Sequence, residues 1–135
     1  MTTYITRQIF YKVSEQANGE NLLIQRGDRS VKFDAVSALS EARSQRLTLT
    51  LPIVDQSIMS GSGIAVGKIL MLETDTELTV KFDDTGNTGI TVKPLVTADG
   101  STKPGTFYIE GSFTNVFLNI TGTGTASVFA AIVGQ

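Results

Sequence analysis

The fold of this chain is decided by a stretch that reads LTVKFDDTGNTGITV, from Leu78 to Val92. Apolar and polar residues alternate at its start, with Leu78, Val80 and Phe82 on one side, which is the period of a strand with one buried face. The turn-forming residues Asp83 to Asn87 follow, and the alternation returns at Ile90 and Val92. Two alternating segments joined by a turn of this composition predict an antiparallel β-hairpin.

Similar signals continue on both sides of this hairpin. Toward the C-terminus, strands are predicted at Thr106 to Glu110, Phe113 to Thr121 and Ala126 to Val133. Toward the N-terminus, threonines alternate with Leu47, Leu49 and Leu51. The apolar run from Lys68 to Leu72 is short enough for a fully buried strand.

The first third of the chain carries weaker signals. Strands are predicted at Thr2 to Val13, Leu22 to Gln25 and Val31 to Phe33, with turns at Asn18-Gly19 and around Arg26-Gly27-Asp28. At most one short helix is expected, around residues 34–46. Asp34 is a suitable N-cap, and a helical spacing connects Ala35, Leu39, Ala42 and Arg46, although three serines weaken it.

Roughly eight to ten short strands separated by turns predict an all-β fold, an antiparallel β-sandwich or jelly roll. We expect a single domain over residues 1–135, with residues 1–13 forming a strand or an extended N-terminal arm. The predicted core consists of Leu47, Leu49, Leu51, Ile69, Met71, Leu78, Val80, Phe82, Ile90, Val92, Phe107, Ile109, Val116, Leu118, Ile120, Val128 and Ile132.

The composition narrows the possible functions. The net charge is -2 and only 18% of residues are charged, so neither nucleic acid nor a membrane is an expected partner. The chain contains no His and no Cys, which excludes a histidine base, a Ser-His-Asp triad and a thiolate zinc site. Residues 1–4 do not resemble a signal peptide, and no apolar run approaches the ~18 residues of a membrane span.

One tripeptide is a candidate for catalysis. Asp84-Thr85-Gly86 matches the motif of retroviral-type aspartic proteases, in which two such carboxylates from a dimer share one proton. Ile132-Val133-Gly134 is similar to the segment that packs behind that loop. However, Asp83 replaces the usual apolar residue before the motif, and a hairpin turn accounts for the same residues. We therefore expect no catalytic residue, and the dimeric protease is kept as an alternative.

The sequence also contains residues suitable for two kinds of binding site. Oxygen ligands for Ca²⁺ are available at Asp83, Asp84, Asn87 and Asp99, but their spacing is not that of an EF-hand, so no metal or cofactor is predicted. A carbohydrate-binding module would use aromatic side chains, and Phe107, Tyr108, Phe113, Phe117 and Phe129 are available. Core packing is the preferred interpretation of these aromatic residues, and the carbohydrate module stays an alternative.

A series of segments carries a resemblance to a known class of protein. The series begins with the leucine–threonine alternation ending at Pro52, followed by Ile69 to Asp75 and Leu78 to Phe82, and it ends with Phe107 to Gly111 and Val116 to Gly122. The stretch from about Leu47 to Val133 resembles small virion structural proteins of tailed bacteriophages. The resemblance implies a β-sandwich that decorates a capsid or builds a collar, connector or tail part. It identifies no functional residue.

The resemblance and the charge pattern together predict assembly. No charged residue follows Glu110, and the chain has 3 Pro, so devices that keep edge strands from pairing are scarce. We expect a homo-oligomer in the virion that binds the major capsid protein or connector and tail proteins. Phe113 to Val133 is expected to be a buried strand or a subunit interface, and Thr2 to Val13 an arm that adds a strand to a neighbour.

Overall fold

The structure, a computed structural model, describes the backbone at residues 4–14, 22–34 and 41–135, and the side chains from residue 43 onward. The chain divides into two compact units, Met1–Ser37 and Ala38–Gln135. The predictions of a single domain and of an N-terminal arm that reaches a neighbour stay predictions.

The first unit contains an antiparallel ribbon of two strands, β1 (Tyr4–Ser14) and β2 (Leu22–Asp34). The strand predicted at the N-terminus is therefore confirmed. The prediction of two short strands around Arg26-Gly27-Asp28 is wrong, because β2 continues through these residues. The register of pairing with β1 shifts there: Ile9 pairs with Arg29, whereas Tyr11 pairs with Arg26. An extra residue opposite a regular partner strand is a β-bulge, which is compatible with glycine. The turn expected at Asn18-Gly19 lies outside the described residues.

The second unit contains ten strands and, in its described residues, no helix. The strands are β3 (Glu41–Thr50), β4 (Ile53–Ser57), β5 (Gly67–Thr74), β6 (Leu78–Phe82), β7 (Ile90–Val92), β8 (Leu95–Val96), β9 (Thr102–Lys103), β10 (Gly105–Phe113), β11 (Val116–Ile120) and β12 (Thr125–Gly134). Sheet I has the order β10-β5-β12-β3 and sheet II the order β4-β11-β6-β7, both antiparallel, while β8 and β9 form a small separate hairpin.

The two four-stranded sheets share one apolar core. Sheet I contributes alternate residues of β5 and β12, and sheet II contributes alternate residues of β6 and β11. Its most deeply buried side chains are Leu70, Leu72, Leu78, Val80, Val116, Leu118, Ile120 and Val128. Burial of each such side chain stabilises the fold by about 1.5–3 kcal/mol before the entropy of ordering is counted. The all-β sandwich predicted from the sequence is confirmed.

Most of the predicted core is correct. Leu78, Val80, Val92, Val116, Leu118, Ile120, Val128 and Ile132 are buried. Leu47, Leu49, Leu51, Phe82, Phe107 and Ile109 are partly buried and pack against the cluster. The prediction omitted Ile58, Met59 and Ile64, which belong to the irregular segment after β4, and it also omitted Phe113, Ala126 and Ala130.

The residues of strand β5 that face the core cluster differ from those predicted. Leu70 and Leu72 belong to the core, whereas Met71 is 47% exposed. The prediction that Ile69 is buried is correct, since it is 7% exposed, although it does not belong to the main core cluster. The reason for the difference is that four consecutive apolar residues give no alternation from which the inward face can be chosen. Ile90 was also wrongly assigned to the core. It pairs with Val80 at the end of the edge strand β7, where its side chain is exposed.

The helix expected around residues 34–46 does not form where the structure describes that segment. Asp34 is the last residue of β2, and Glu41 to Arg46 belong to β3, while residues 35–40 lie outside the described part. Strand β3 pairs with β12 along its whole length, from Gly134 opposite Glu41 to Thr125 opposite Thr50. A ten-residue ladder of this kind outweighs a weak local helix preference.

Candidate interaction surface

The centre of the outward face of sheet I, on β5 and β12, carries mainly apolar side chains, whereas the outward residues of the edge strands β3 and β10 are mostly polar. In one row across the sheet, Tyr108 of β10 lies beside Met71 of β5, and Ala131 of β12 pairs with both Met71 and Ser44 of β3. The next row contains Phe129, which lies between Glu73 and Arg46. We call the set Met71, Tyr108, Phe129, Ala131 and Val133 the outer face of sheet I.

This composition is unusual for a solvated sheet. Antiparallel sheets commonly pack one face on the core and present polar residues on the other. Strand β12 instead alternates buried Ala126, Val128, Ala130 and Ile132 with half-buried Phe129, Ala131 and Val133. Strands that are apolar on both faces are typical of sheets covered on both sides.

A shallow depression of about 130 Å³ lies on this face. It is lined by Met71, Leu72, Glu73, Thr106, Phe107, Tyr108 and Phe129. The Tyr108 hydroxyl donates a hydrogen bond to Glu110 Oε1. At the other side of Phe129, the guanidinium carbon of Arg46 lies 5.7 Å from the ring centroid, within the range of a cation–π interaction. The apolar centre is thus bordered by Glu73 and Arg46.

The outward side of sheet II is mostly polar, although the half-buried Phe117 also lies on it. Asp55 on β4, Asn119 on β11 and Lys81 on β6 form a connected network. The hydrogen bond from Asn119 is the main cause that holds the pKa of Asp55 below its usual value; Lys81 acts in the same direction and partial burial opposes it. The Asn119 side chain is therefore engaged within the fold.

The Asp84-Thr85-Gly86 motif forms an ordinary exposed turn between β6 and β7. Asp84 Oδ1 accepts a hydrogen bond from the backbone N–H of Gly86 at 2.7 Å. The neighbouring Asp83 carboxylate accepts from the backbone N–H of Thr114 at 2.6 Å, and this bond is the largest cause that lowers the pKa of Asp83. Ile132-Val133-Gly134 ends β12 in the other sheet. This arrangement is that of a hairpin turn, as the sequence favours.

The oxygen ligands considered for Ca²⁺ are divided between two turns. Asp83, Asp84 and Asn87 lie between β6 and β7, whereas Asp99 lies between β8 and β9. Asp99 accepts hydrogen bonds from Thr97 and Ser101, which lower the pKa of Asp99 to about 2. In the described part of the chain, no group of three or more acidic, His or Cys side chains is placed to hold a metal ion.

The aromatic candidates have different environments. Phe113 is buried and packs edge-on against Phe82, with 5.4 Å between ring centroids, and Phe107 packs against the core. Tyr108 and Phe129 lie instead on the outer face of sheet I. The core interpretation is thus correct for Phe107 and Phe113.

Comparison of the chain with protein-family models, with curated protein sequences and with solved structures found no match. No helix among the described residues is long and apolar enough to cross a membrane. The function is therefore inferred from the surfaces that the fold presents.

One feature of the sequence indicates the outer face of sheet I, although a search for alternating apolar and polar residues does not detect it. Apolar residues occupy both parities of β5 and β12, so each strand reads as a continuous run instead of an alternation. Such a run predicts a strand covered on both faces. The prediction of a fully buried strand at Lys68 to Leu72 used this signal, but it did not identify Met71, Phe129 or Val133 as outward.

Proposed function

We propose that this chain is a non-catalytic structural protein of a tailed-phage virion, which works as a homo-oligomer and binds other virion proteins through the outer face of sheet I. The observation that supports the proposal is the apolar character of both faces of β5 and β12. Met71 is 47% exposed there, and Tyr108 is exposed beside it. A contiguous apolar patch with a polar border is typical of a protein–protein interface.

The charged residues at the border of this surface determine how a partner protein can be oriented on it. Arg46 and Glu73 flank Phe129 from opposite strands, so a partner that fits the face has an apolar centre with a carboxylate and a cation at matching positions. Charged groups at an interface border contribute to specificity and to the rate of association more than to affinity. The polar network on sheet II makes the opposite face a poor alternative for the same contact.

The proposal is tested on particles of the phage that carries this gene. Quantitative mass spectrometry of purified particles is expected to find the chain as a stoichiometric component. A copy number on the order of hundreds would indicate capsid decoration, and one on the order of ten would indicate a ring at the collar, connector or tail. Absence of the chain from particles that are otherwise complete would contradict the proposal.

Two variants test whether the chain docks through the outer face of sheet I or through another part of its surface. Met71→Lys places a charge in the centre of the face and is expected to reduce incorporation into particles by roughly tenfold or more, as a loss of about 1.4 kcal/mol would. Val54→Lys is the control, because Val54 is 75% exposed and belongs to sheet II. Equal incorporation of both variants would exclude the outer face of sheet I as the docking surface.

A carbohydrate-binding module is the second candidate. The observation in its favour is that Tyr108 and Phe129 line the same depression as Glu73, since aromatic rings and carboxylates are common in sugar sites. Saturable binding on a glycan array, lost in Phe129→Ala, would support this function. The assembly proposal instead expects no glycan binding and a loss of incorporation in the same variant.

A further inference from the structure

Among the described strands of the second unit, the sandwich is open at the side where β3 and β4 are its edge strands. Only Leu51 and Pro52 separate β3 from β4, so these two strands border the same opening although they belong to different sheets. A cleft of about 190 Å³ lies there, with an apolar floor formed by Leu47, Leu49 and Ile58. Its polar rim consists of Arg43, Gln45, Gln56, Ser57, Ser60 and Ser62.

Two hydrogen bonds hold the cleft in shape. Arg43 Nη1 donates to the carbonyl oxygen of Gly61 at 2.8 Å, and Gln45 Nε2 donates to that of Ile58 at 3.5 Å. Both bonds connect β3 to the segment that follows β4. The cleft is thus a preformed recess with an apolar floor and a polar rim beside the edge strand β3, which has no second neighbour among the described strands.

A small apolar projection lies at the opposite side of the sandwich. The β8–β9 hairpin presents Leu95 and Val96, which are 63% and 68% exposed. Its turn is closed by a hydrogen bond from Thr97 N–H to the Ser101 carbonyl oxygen at 2.8 Å, and the Asp99 carboxylate accepts from Ser101 N–H at 2.9 Å. A partner protein that covers these aliphatic side chains removes them from water, which favours association.

The topology prevents the hairpin from filling the cleft of its own chain. The hairpin connects β7 to β10, which are the edge strands opposite β4 and β3. Gly105 at the start of β10 lies so close to Lys93 that a Cβ atom there would approach the Lys93 carbonyl oxygen to 2.5 Å, which fixes the base of the hairpin at that side. Three strand spacings of about 4.8 Å each separate the two sides.

We infer that the β8–β9 hairpin of one copy of this chain inserts Val96 into the β3–β4 cleft of a second copy, with Leu95 on the opposite face of the hairpin. Charges agree with this pairing. Asp99 at the hairpin tip is an exposed carboxylate, and Arg43 at the cleft rim is an exposed cation. Lys93 at the hairpin base is already paired with Glu77 at 3.1 Å, and Lys103 lies on β9 at the base instead of the tip.

The contact uses different surfaces on its two sides, so it is heterologous. A heterologous contact repeats from copy to copy and gives a closed ring, or an open filament when the rotation does not close. The inference deepens the proposed function, on which it rests for the expectation that copies of this chain meet. It specifies the homo-oligomer contact and leaves the outer face of sheet I for the partner protein.

Disulfide trapping tests the contact directly, because the chain has no cysteine of its own. Val96→Cys is combined with Ser60→Cys, because the Ser60 side chain lines the cleft; the Ser60 backbone N–H, which donates to Ser57 Oγ, is kept in this variant. Mild oxidation of the double variant is expected to give a ladder of covalent multimers. An equimolar mixture of the two single variants is expected to stop at the covalent dimer. Val54→Cys with Ser60→Cys is the control for random collisions.

Sedimentation velocity at micromolar concentration provides the second measurement. Wild-type protein is expected to be oligomeric, and Val96→Asp is expected to raise the dissociation constant at least roughly tenfold, whereas Val54→Asp leaves it unchanged. A monomeric wild type, or a ladder no stronger than that of the control pair, would overturn the inference.

The two proposals fail in different ways. If Met71→Lys loses incorporation into particles while Val96→Asp remains as oligomeric as the wild type, the hairpin contact is wrong and the proposed function stands. If the chain is missing from particles but hairpin-dependent oligomers form, the proposed function is wrong and the contact stands.

Discussion

Asp55 and Asn119 are joined by two hydrogen bonds across strands β4 and β11. Asn119 Oδ1 accepts from the backbone N–H of Asp55 at 3.0 Å, and Asn119 Nδ2 donates to Asp55 Oδ1 at 2.9 Å. Asp55 has a φ of 47°, a left-handed conformation that is unfavourable for a residue other than glycine. The register between β4 and β11 shifts at this point, so the pair fastens an irregular edge strand to an interior one.

We predict that Asn119→Ala destabilises the fold by about 1–2 kcal/mol, because the backbone N–H of Asp55 loses its acceptor in a partly buried position. Urea unfolding followed by circular dichroism measures the change. Thr88→Ala, in the exposed turn before β7, is the control and is expected to change the free energy of unfolding by less than about 0.5 kcal/mol. An Asn119→Ala variant as stable as this control would contradict the role given to the pair.

Acid is predicted to weaken the fold through three carboxylates. Hydrogen bonds lower the pKa of Asp55, Asp83 and Asp99 from the usual 3.8, in the case of Asp99 to about 2. A group whose folded pKa is lower than its unfolded pKa stabilises the fold fully above the unfolded value and loses that contribution as the pH falls through the folded value. The urea midpoint is therefore expected to fall as the pH decreases below about 4.

The matched variant for this prediction is Asp83→Asn. It removes one carboxylate that titrates but keeps an oxygen that accepts from Thr114 N–H. Its urea midpoint is expected to depend less steeply on pH than that of the wild type between about pH 4 and 2. A midpoint that rises on acidification would show that the assigned directions of the pKa shifts are wrong.

The phase of β5 gives a prediction about stability. Leu70→Ala removes a fully buried side chain and is expected to cost about 2–5 kcal/mol. Met71→Ala, one residue further along the same strand, is expected to cost less than about 1 kcal/mol because Met71 lies outside the core. Denaturant unfolding of the two variants is the measurement. A larger loss of unfolding free energy for Met71→Ala than for Leu70→Ala would show that Met71 faces the core, as the sequence suggested.

The same strand shows what the sequence can determine and what it cannot. In β6 the inward residues alternate with Thr79 and Lys81, and in β11 Asn119 separates Leu118 from Ile120, so Leu78, Val80, Leu118 and Ile120 were predicted correctly. In β5 the residues on both faces are apolar, and only the pairing with β10 and β12 decides which face is inward. The sequence did not identify the candidate surface for this reason. An alternating pattern assigned Met71 to the core and left the other residues of the surface unassigned.

Long-range pairing also explains the error at residues 34–46. The local pattern there is a weak helix signal interrupted by serines, and a sequence window contains no information on β12, about ninety residues further along, which pairs with Glu41 to Thr50. The turn at Asp83 to Asn87 is the opposite case. Its conformation is set within a few residues, by Asp84 and Gly86 themselves, and was predicted correctly.

The last prediction concerns Asp84, where the assembly proposal and the protease alternative require opposite results. Asp84 Oδ1 accepts from Gly86 N–H at 2.7 Å, and the side-chain oxygen of asparagine makes the same bond and is equally favourable in such turns. Asp84→Asn is therefore expected to leave the free energy of unfolding within about 0.5 kcal/mol of the wild type. Incorporation into particles is expected to stay unchanged as well. Asp84→Ala, which lacks the acceptor, is the control for the turn and is expected to cost about 1 kcal/mol.

An aspartic protease, by contrast, loses all activity in Asp84→Asn while its fold remains intact, because asparagine cannot share the proton between two carboxylates. Cleavage of a peptide library by the wild type that disappears in Asp84→Asn would replace assembly with catalysis as the function of this chain.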